Sequence, residues 1–106
     1  MDPERVAKNE ALFRDVNERI AESAHRFDSH EAEFVCECAD AACAERVETP
    51  LEVYESVRAD GATFIVKPGH EDERFERVVE RRGKFRVVEK MNLVGRIARS
   101  LDPRTA

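Results

Sequence analysis

Phe34-Val35-Cys36-Glu37-Cys38-Ala39-Asp40-Ala41-Ala42-Cys43 opens as a strand and closes as a turn. Residues 34–38 alternate, so Phe34, Cys36 and Cys38 share one face. Residues 39–42 read as a turn, and Cys43 to Glu48 as a short return strand. Two thiols one residue apart on a strand point the same way, and the turn brings a third back to them. These are the chain's three cysteines. An odd number leaves one thiol over in a disulfide framework. In a reducing cytosol such a cluster reads instead as metal ligands.

A tetrahedral zinc shell, with Zn–S near ~2.3 Å, wants one ligand more than three thiolates. Pro68-Gly69-His70 supplies it: Gly69 lets the backbone bend sharply, so that His70 projects into the site. His30, just ahead of Phe34, ranks second. His25 lies on the first helix and reads as a surface histidine, while Asp40 or a water are further occupants of the fourth place. The plain alternative is three buried apolar thiols, as free cysteines often are. Glu37 between them and the polar turn weigh against it. The expected metal site is therefore Cys36, Cys38, Cys43 and His70 with Zn2+. Four protein ligands leave no open position for substrate, which points to structure rather than catalysis. Were water the fourth ligand, hydrolysis would become available, with Glu37 or Asp40 as general base.

Outward from this knuckle, residues 3 to about 27 predict one long helix. Val6, Phe13, Val16, Ile20 and Phe27, with Leu12 and Ala24 beside them, trace one apolar stripe on a 3.6-residue period. Glu10, Arg14, Glu18, Arg19 and Glu22 then form the charged outer face, with Glu10 and Arg14 as a favourable i,i+4 pair. Asn9 and Ser23 on the seam would fix register if the helix met a partner. The rival is a helix packed wholly on its own domain.

Thr49-Pro50-Leu51-Glu52 carries the signature of a capped helix start. That helix runs to about Ala59 with Leu51, Tyr54 and either Val57 or Arg58 inward, and Asp60-Gly61 ends it. Phe64-Ile65-Val66 is a short strand. Phe75–Glu80 and Phe85–Glu89 form a hairpin around Arg81-Arg82-Gly83-Lys84. Leu93, Ile97 and Leu101 mark a short last helix, in which Gly95 costs about 1 kcal/mol. The fold class is thus α+β: a long N-terminal helix, a small antiparallel sheet with a zinc knuckle, one middle helix and a short C-terminal helix. The expected organisation is an N-terminal helix over 1–30, a zinc-stabilised α+β domain over 31–92, and a short helix or flexible tail over 93–106.

Charged residues make up 39% of the 106 and aromatics 7%, with no tryptophan. So little apolar material makes a metal or a partner surface useful for stability. No apolar run approaches the ~18 residues that span a bilayer. Met1-Asp2-Pro3-Glu4 lacks the pattern of a signal peptide, so a cytoplasmic protein without membrane attachment is expected. Residues 1–60 carry net −9 and residues 61–106 net +4, a mark of either an interaction face or two solvated surfaces. Arg74, Arg77, Arg81, Arg82, Lys84 and Arg86 cluster on the hairpin, with Lys90, Arg96 and Arg99 beyond. Such a set can neutralise phosphates, but interleaved carboxylates rank a solvated hairpin first, a protein-binding surface second and nucleic acid third. Phe75 and Phe85 read as core rather than stacking residues. Phosphate-binding loops, nucleotide fingerprints and Ser/His/Asp settings are missing.

Asn9-Glu10-Ala11-Leu12-Phe13-Arg14, Val16-Asn17-Glu18-Arg19-Ile20, Phe34-Val35-Cys36-Glu37-Cys38 and Pro68-Gly69-His70-Glu71 together resemble a group of small uncharacterised bacterial proteins. The resemblance spans Asn9 to Lys90. That group has no assigned activity, so the resemblance implies no catalytic residue. It implies only that the helix, the knuckle and the Pro-Gly-His turn belong to one unit.

These readings converge on a non-enzymatic, zinc-stabilised regulatory or protein-interaction module. It would contact a protein partner, or a second copy of itself, through the N-terminal helix. A nucleic-acid-binding regulator using the basic hairpin 74–90 is the first alternative. A thiol-based redox sensor that releases zinc is the second.

Overall fold

The computed structural model of the chain describes residues 2–104; Met1, Thr105 and Ala106, at the outer ends of the first and last expected segments, lie outside them. Helix α1 runs from Pro3 to Arg26. Asp2 starts it by accepting a hydrogen bond from the Arg5 amide at 3.0 Å, and Pro3 suits the first turn, where no amide is needed. Strand β1 (Glu31–Val35) pairs antiparallel with β2 (Arg46–Pro50). Helix α2 (Leu51–Val57) follows directly. A second sheet holds β3 (Thr63–Val66), β4 (Glu76–Arg81) and β5 (Arg86–Lys90), with β5 in the centre. Helix α3 (Asn92–Ser100) closes the fold. The expected α+β architecture is present, and no helix among the described residues is long and apolar enough to cross a membrane.

The main core gathers Phe34, Val47, Leu51, Tyr54, Val57, Ile65, Phe85 and Val87 under α1. The rings of Phe34 and Tyr54 stack with centroids 4.3 Å apart. Helix α1 faces the interior with a surface that includes only Val6 and Ala24 of its apolar stripe as buried residues, with Ile20 packed at the edge. Its buried residues are Val6, Ala7, Glu10, Ala11, Arg14, Asn17, Ala21 and Ala24, while Leu12 is 61% and Phe27 75% exposed and Val16 is exposed too. Alanines let the helix approach closely, and Glu10, Arg14 and Asn17 each make at least one polar contact, while Glu10 Oε1 and Arg14 Nε have no hydrogen-bond partner among the described residues. Arg14 donates to the carbonyls of Gly61 and Ala98 at 2.6 and 2.9 Å and lies over the Phe64 ring. Glu10 and Glu76 both meet the Lys90 ammonium. The expected Glu10–Arg14 surface pair is therefore replaced by two buried contacts with distant segments.

Three local expectations shift as well. The return strand begins at Arg46, not Cys43, because the Cys43 amide is spent closing the turn onto the Asp40 carbonyl. Thr49 does not cap α2: it is buried in β2 opposite Ala32, and Pro50 precedes the helix without a side-chain cap. In α3, Leu93 and Leu101 are exposed and Val94, Gly95 and Ala98 are buried. Gly95 is where α3 touches β5, since a Cβ there would lie 2.6 Å from the Lys90 carbonyl oxygen. In an open helix Gly→Ala gains about 1 kcal/mol. Here Gly95→Ala is expected to lose about 1–3 kcal/mol by forcing backbone apart. Urea denaturation checks the sign.

Candidate metal centre

The sulfurs of Cys36, Cys38 and Cys43 and a ring nitrogen of His70 all lie within 4.8 Å of one another. His70 Nδ1 stands 3.6 Å from both the Cys36 and the Cys43 sulfur. With Zn–S near 2.3 Å and Zn–N near 2.0–2.1 Å, a tetrahedron has N···S edges of about 3.5 Å. The observed spacing matches such an edge. Among the described residues this is the single cluster that brings three or more such ligand atoms together.

The framework of the site is built from residues that carry no metal chemistry. Asn17, reaching down from α1, treats Val35 as a ladder partner: its Oδ1 accepts the Val35 amide at 2.8 Å and its Nδ2 donates to the Val35 carbonyl at 2.9 Å. The Cys36 amide bonds Glu45 at 3.0 Å, and the Lys67 amide donates to the Cys36 sulfur at 3.3 Å. Between the two strand cysteines, Glu37 turns to the opposite side and is fully buried. Its carboxylate accepts from Asn17 Nδ2, the Tyr54 hydroxyl and the Ile65 amide at 2.8, 3.1 and 3.0 Å. Its own amide donates to the Ile65 carbonyl at 2.8 Å. Glu37 thereby ties the knuckle to α1, α2 and β3. Burial pushes its carboxyl above the ordinary range against those donors. Its carboxylate is thus engaged by Asn17, Tyr54 and Ile65 rather than by the cysteine cluster.

The turn carrying Cys43 is closed by its amide bonding the Asp40 carbonyl at 3.0 Å, with the Asp40 side chain accepting from Ala42 at 2.9 Å. Asn9 of α1 donates to the Ala39 carbonyl at 3.2 Å. The histidine turn forms as expected: Gly69 takes φ +88°, and the His70 amide bonds the Lys67 carbonyl at 3.0 Å. Cys36 and Cys38 are buried, Cys43 is half-buried and His70 is exposed. A cleft of about 730 Å³ reaches the cluster from outside, with Cys38 and His70 in its wall and Asp40, Glu71, Asp72 and Glu73 around it.

Three thiols this close divide charge unequally. Hydrogen bonding from Cys36 holds the Cys38 thiol down, to about 5, with His70 assisting. The same bond and burial drive Cys36 up, and burial raises Cys43. The cluster thus accepts one negative charge readily and resists the next. A divalent cation at its centre inverts that order and deprotonates every coordinating thiol.

The other histidines stand elsewhere. His25 and His30 line a separate cleft of about 860 Å³ between the end of α1 and α2, where His25 Nε2 lies 3.4 Å from a Glu55 carboxylate oxygen. On the basic hairpin, Arg74 pairs with Asp72, Arg77 with Glu89 and Arg82 with Glu80. Lys90 is buried between its two glutamates and Phe85 is in the core, while Phe75 is half-buried. The site roles of Asn17, the Tyr54 hydroxyl and the Lys67 amide escaped the sequence reading, which placed Tyr54 on the inner side of the middle helix without a hydrogen-bond role. Their only signal is an asparagine in step with Ala7, Ala21 and Ala24 on one helix face. Comparison with protein-family models, with curated proteins and with solved structures gave no match.

Proposed function

We propose that this chain is a zinc-stabilised regulatory or protein-interaction module without catalytic activity, working in the cytoplasm. The observation that carries the reading is the Cys36–Cys38–Cys43–His70 set, spaced for a closed tetrahedral shell. Three soft thiolates and one imidazole suit zinc over the hard cations, which prefer oxygen. A shell filled by protein ligands holds a fold rather than turning over a substrate. Thiols kept reduced for a metal fit a reducing compartment. The contact surface in this reading is the outer face of α1, where Leu12, Val16 and Phe27 stay exposed; its partner is another protein or a second copy of the chain. The pairing of Arg74, Arg77 and Arg82 with carboxylates supports ranking nucleic-acid binding behind it.

Protein purified without chelator is expected to carry about one zinc per chain, as a single four-ligand site implies. Cobalt substitution should give the absorption of tetrahedral thiolate coordination. Elemental analysis that finds no transition metal removes the metal half of the proposal. For the contact half, Leu12→Asp with Val16→Asp should leave the melting curve in place and weaken association in light scattering or in pull-down. Association unchanged by that pair removes the α1 surface.

A further inference from the structure

The three cysteines are not equivalent, and the path of the chain and their access say which two belong together. In β1 and β2, Val35 faces Arg46 and Phe34 faces Val47, and the next pair is marked by the Cys36 amide bonding Glu45. There the ladder ends, and the turn over 39–42 returns Cys43 to the cluster, where its sulfur lies within 4.8 Å of that of Cys38. Disulfide-linked residues have Cα atoms ~4.4–6.8 Å apart; Cys36 and Cys38, two residues apart along extended chain, are separated by about 6.6 Å, at the outer limit of that span. Access separates them further. Cys43 is half-buried; Cys36 and Cys38 are both buried, but Cys38 stands in the wall of the 730 Å³ cleft whereas Cys36 lies under the Lys67 amide.

From this juxtaposition we infer that Cys38 and Cys43 are an oxidisable pair: a hydroperoxide joins them in a disulfide, and the site gives up its metal. The inference rests on the metal reading above and adds the regulation of that site. The Cys43 thiolate, the more accessible sulfur, attacks one peroxide oxygen. An S–O bond forms, the O–O bond breaks, and hydroxide leaves. The Cys38 thiolate then attacks the sulfenyl sulfur; the S–S bond forms as the S–O bond breaks, and a second hydroxide leaves. Two electrons pass from the two sulfurs to the peroxide, and two protons from solvent turn both hydroxides into water. Two of four ligands are gone. Cys36 and His70 alone hold a divalent ion too weakly to keep it, so it departs as M2+.

The test uses the full chain loaded with zinc, exposed to hydrogen peroxide in the presence of a chromogenic zinc chelator. Cleavage after Glu37 and before Asp40 puts each cysteine in its own peptide. Expected are a cross-link joining the Cys38 and Cys43 peptides, free thiols falling from three to one in denaturant, and one zinc equivalent released in step. Dithiothreitol should restore both thiols and metal uptake. Cys36→Ser, which spares both members of the pair, should still yield the cross-link. A cross-link through Cys36, conversion to sulfinic acid without a disulfide, or retention of zinc with all thiols intact overturns the inference and leaves the metal reading standing. A chain that never takes up zinc overturns the metal reading first, before any peroxide is added, and this inference with it.

Discussion

Cys38→Ser, or chelation of the native chain, is expected to remove the cooperative thermal transition rather than loosen one turn. Apparent metal-binding free energies in zinc-finger peptides reach roughly 10–16 kcal/mol near neutral pH, and in such small units they are folding free energy. Whole domains are stable by only about 5–15 kcal/mol. Losing even about a third of that binding energy exceeds 3 kcal/mol, and each 1 kcal/mol moves the midpoint of a domain this size by about 4–8 °C. A fall of at least about 12 °C is therefore the minimum expected on that scale. The knuckle also ties α1, α2 and β3 together through Asn17, Tyr54 and Ile65 around Glu37, so its collapse reaches the whole core. Circular dichroism melts with and without chelator decide the matter. A midpoint that moves by no more than that of the exposed-site control Leu12→Ser would falsify it.

The second large effect is expected at Lys90. Its ammonium is buried between the carboxylates of Glu10 and Glu76. One cation cannot balance two anions. Burial, opposed by Lys90, raises Glu10 from 4.5 to about 8 and raises Glu76 in the same direction. The ion pairs and the raised values agree once the pair is seen to retain a proton near neutrality. A carboxyl raised on folding stabilises fully below its unfolded pKa and loses that contribution as pH climbs through the folded value. The contribution of Glu10 should accordingly fade between about pH 4.5 and 8. Lys90→Met strands both carboxyls, and breaking such a buried pair costs about 3–5 kcal/mol. Urea denaturation should show the larger loss at pH 8 and a smaller one at pH 6, where the carboxyls protonate more easily. Replacing all three residues with apolar ones should recover most of the stability. A single-variant loss below about 1 kcal/mol at pH 8, the scale of an exposed ion pair, counts against the buried triad.

What could be read from the sequence follows the range of the interactions concerned. The cysteine spacing and the Pro68-Gly69-His70 turn are legible because strand alternation and glycine's left-handed backbone act within a few residues. The hairpin around Gly83 is legible for the same reason. The inward face of α1 is not. Hydrophobic periodicity assigns Glu10 and Arg14 to water, yet their partners Lys90 and Ala98 lie 80 and 84 residues away. Thr49 fails as a cap because pairing with β1 claims it, a competition that no local motif reveals. Glu37 looks like a polar neighbour of the cysteines; only the fold turns it inward onto Tyr54 and Asn17.

The polar inner face of α1 also sets a timetable for synthesis. Ribosomes add about 5–20 residues per second, so roughly 4–16 s separate the emergence of Glu10 from that of Lys90. Until Lys90 emerges, α1 cannot seat its inner face. During that wait the face destined for the interior offers water a carboxylate, a guanidinium and an amide among alanines. A leucine-lined face would invite premature association with other nascent chains, whereas this one stays hydrated until its counterparts arrive.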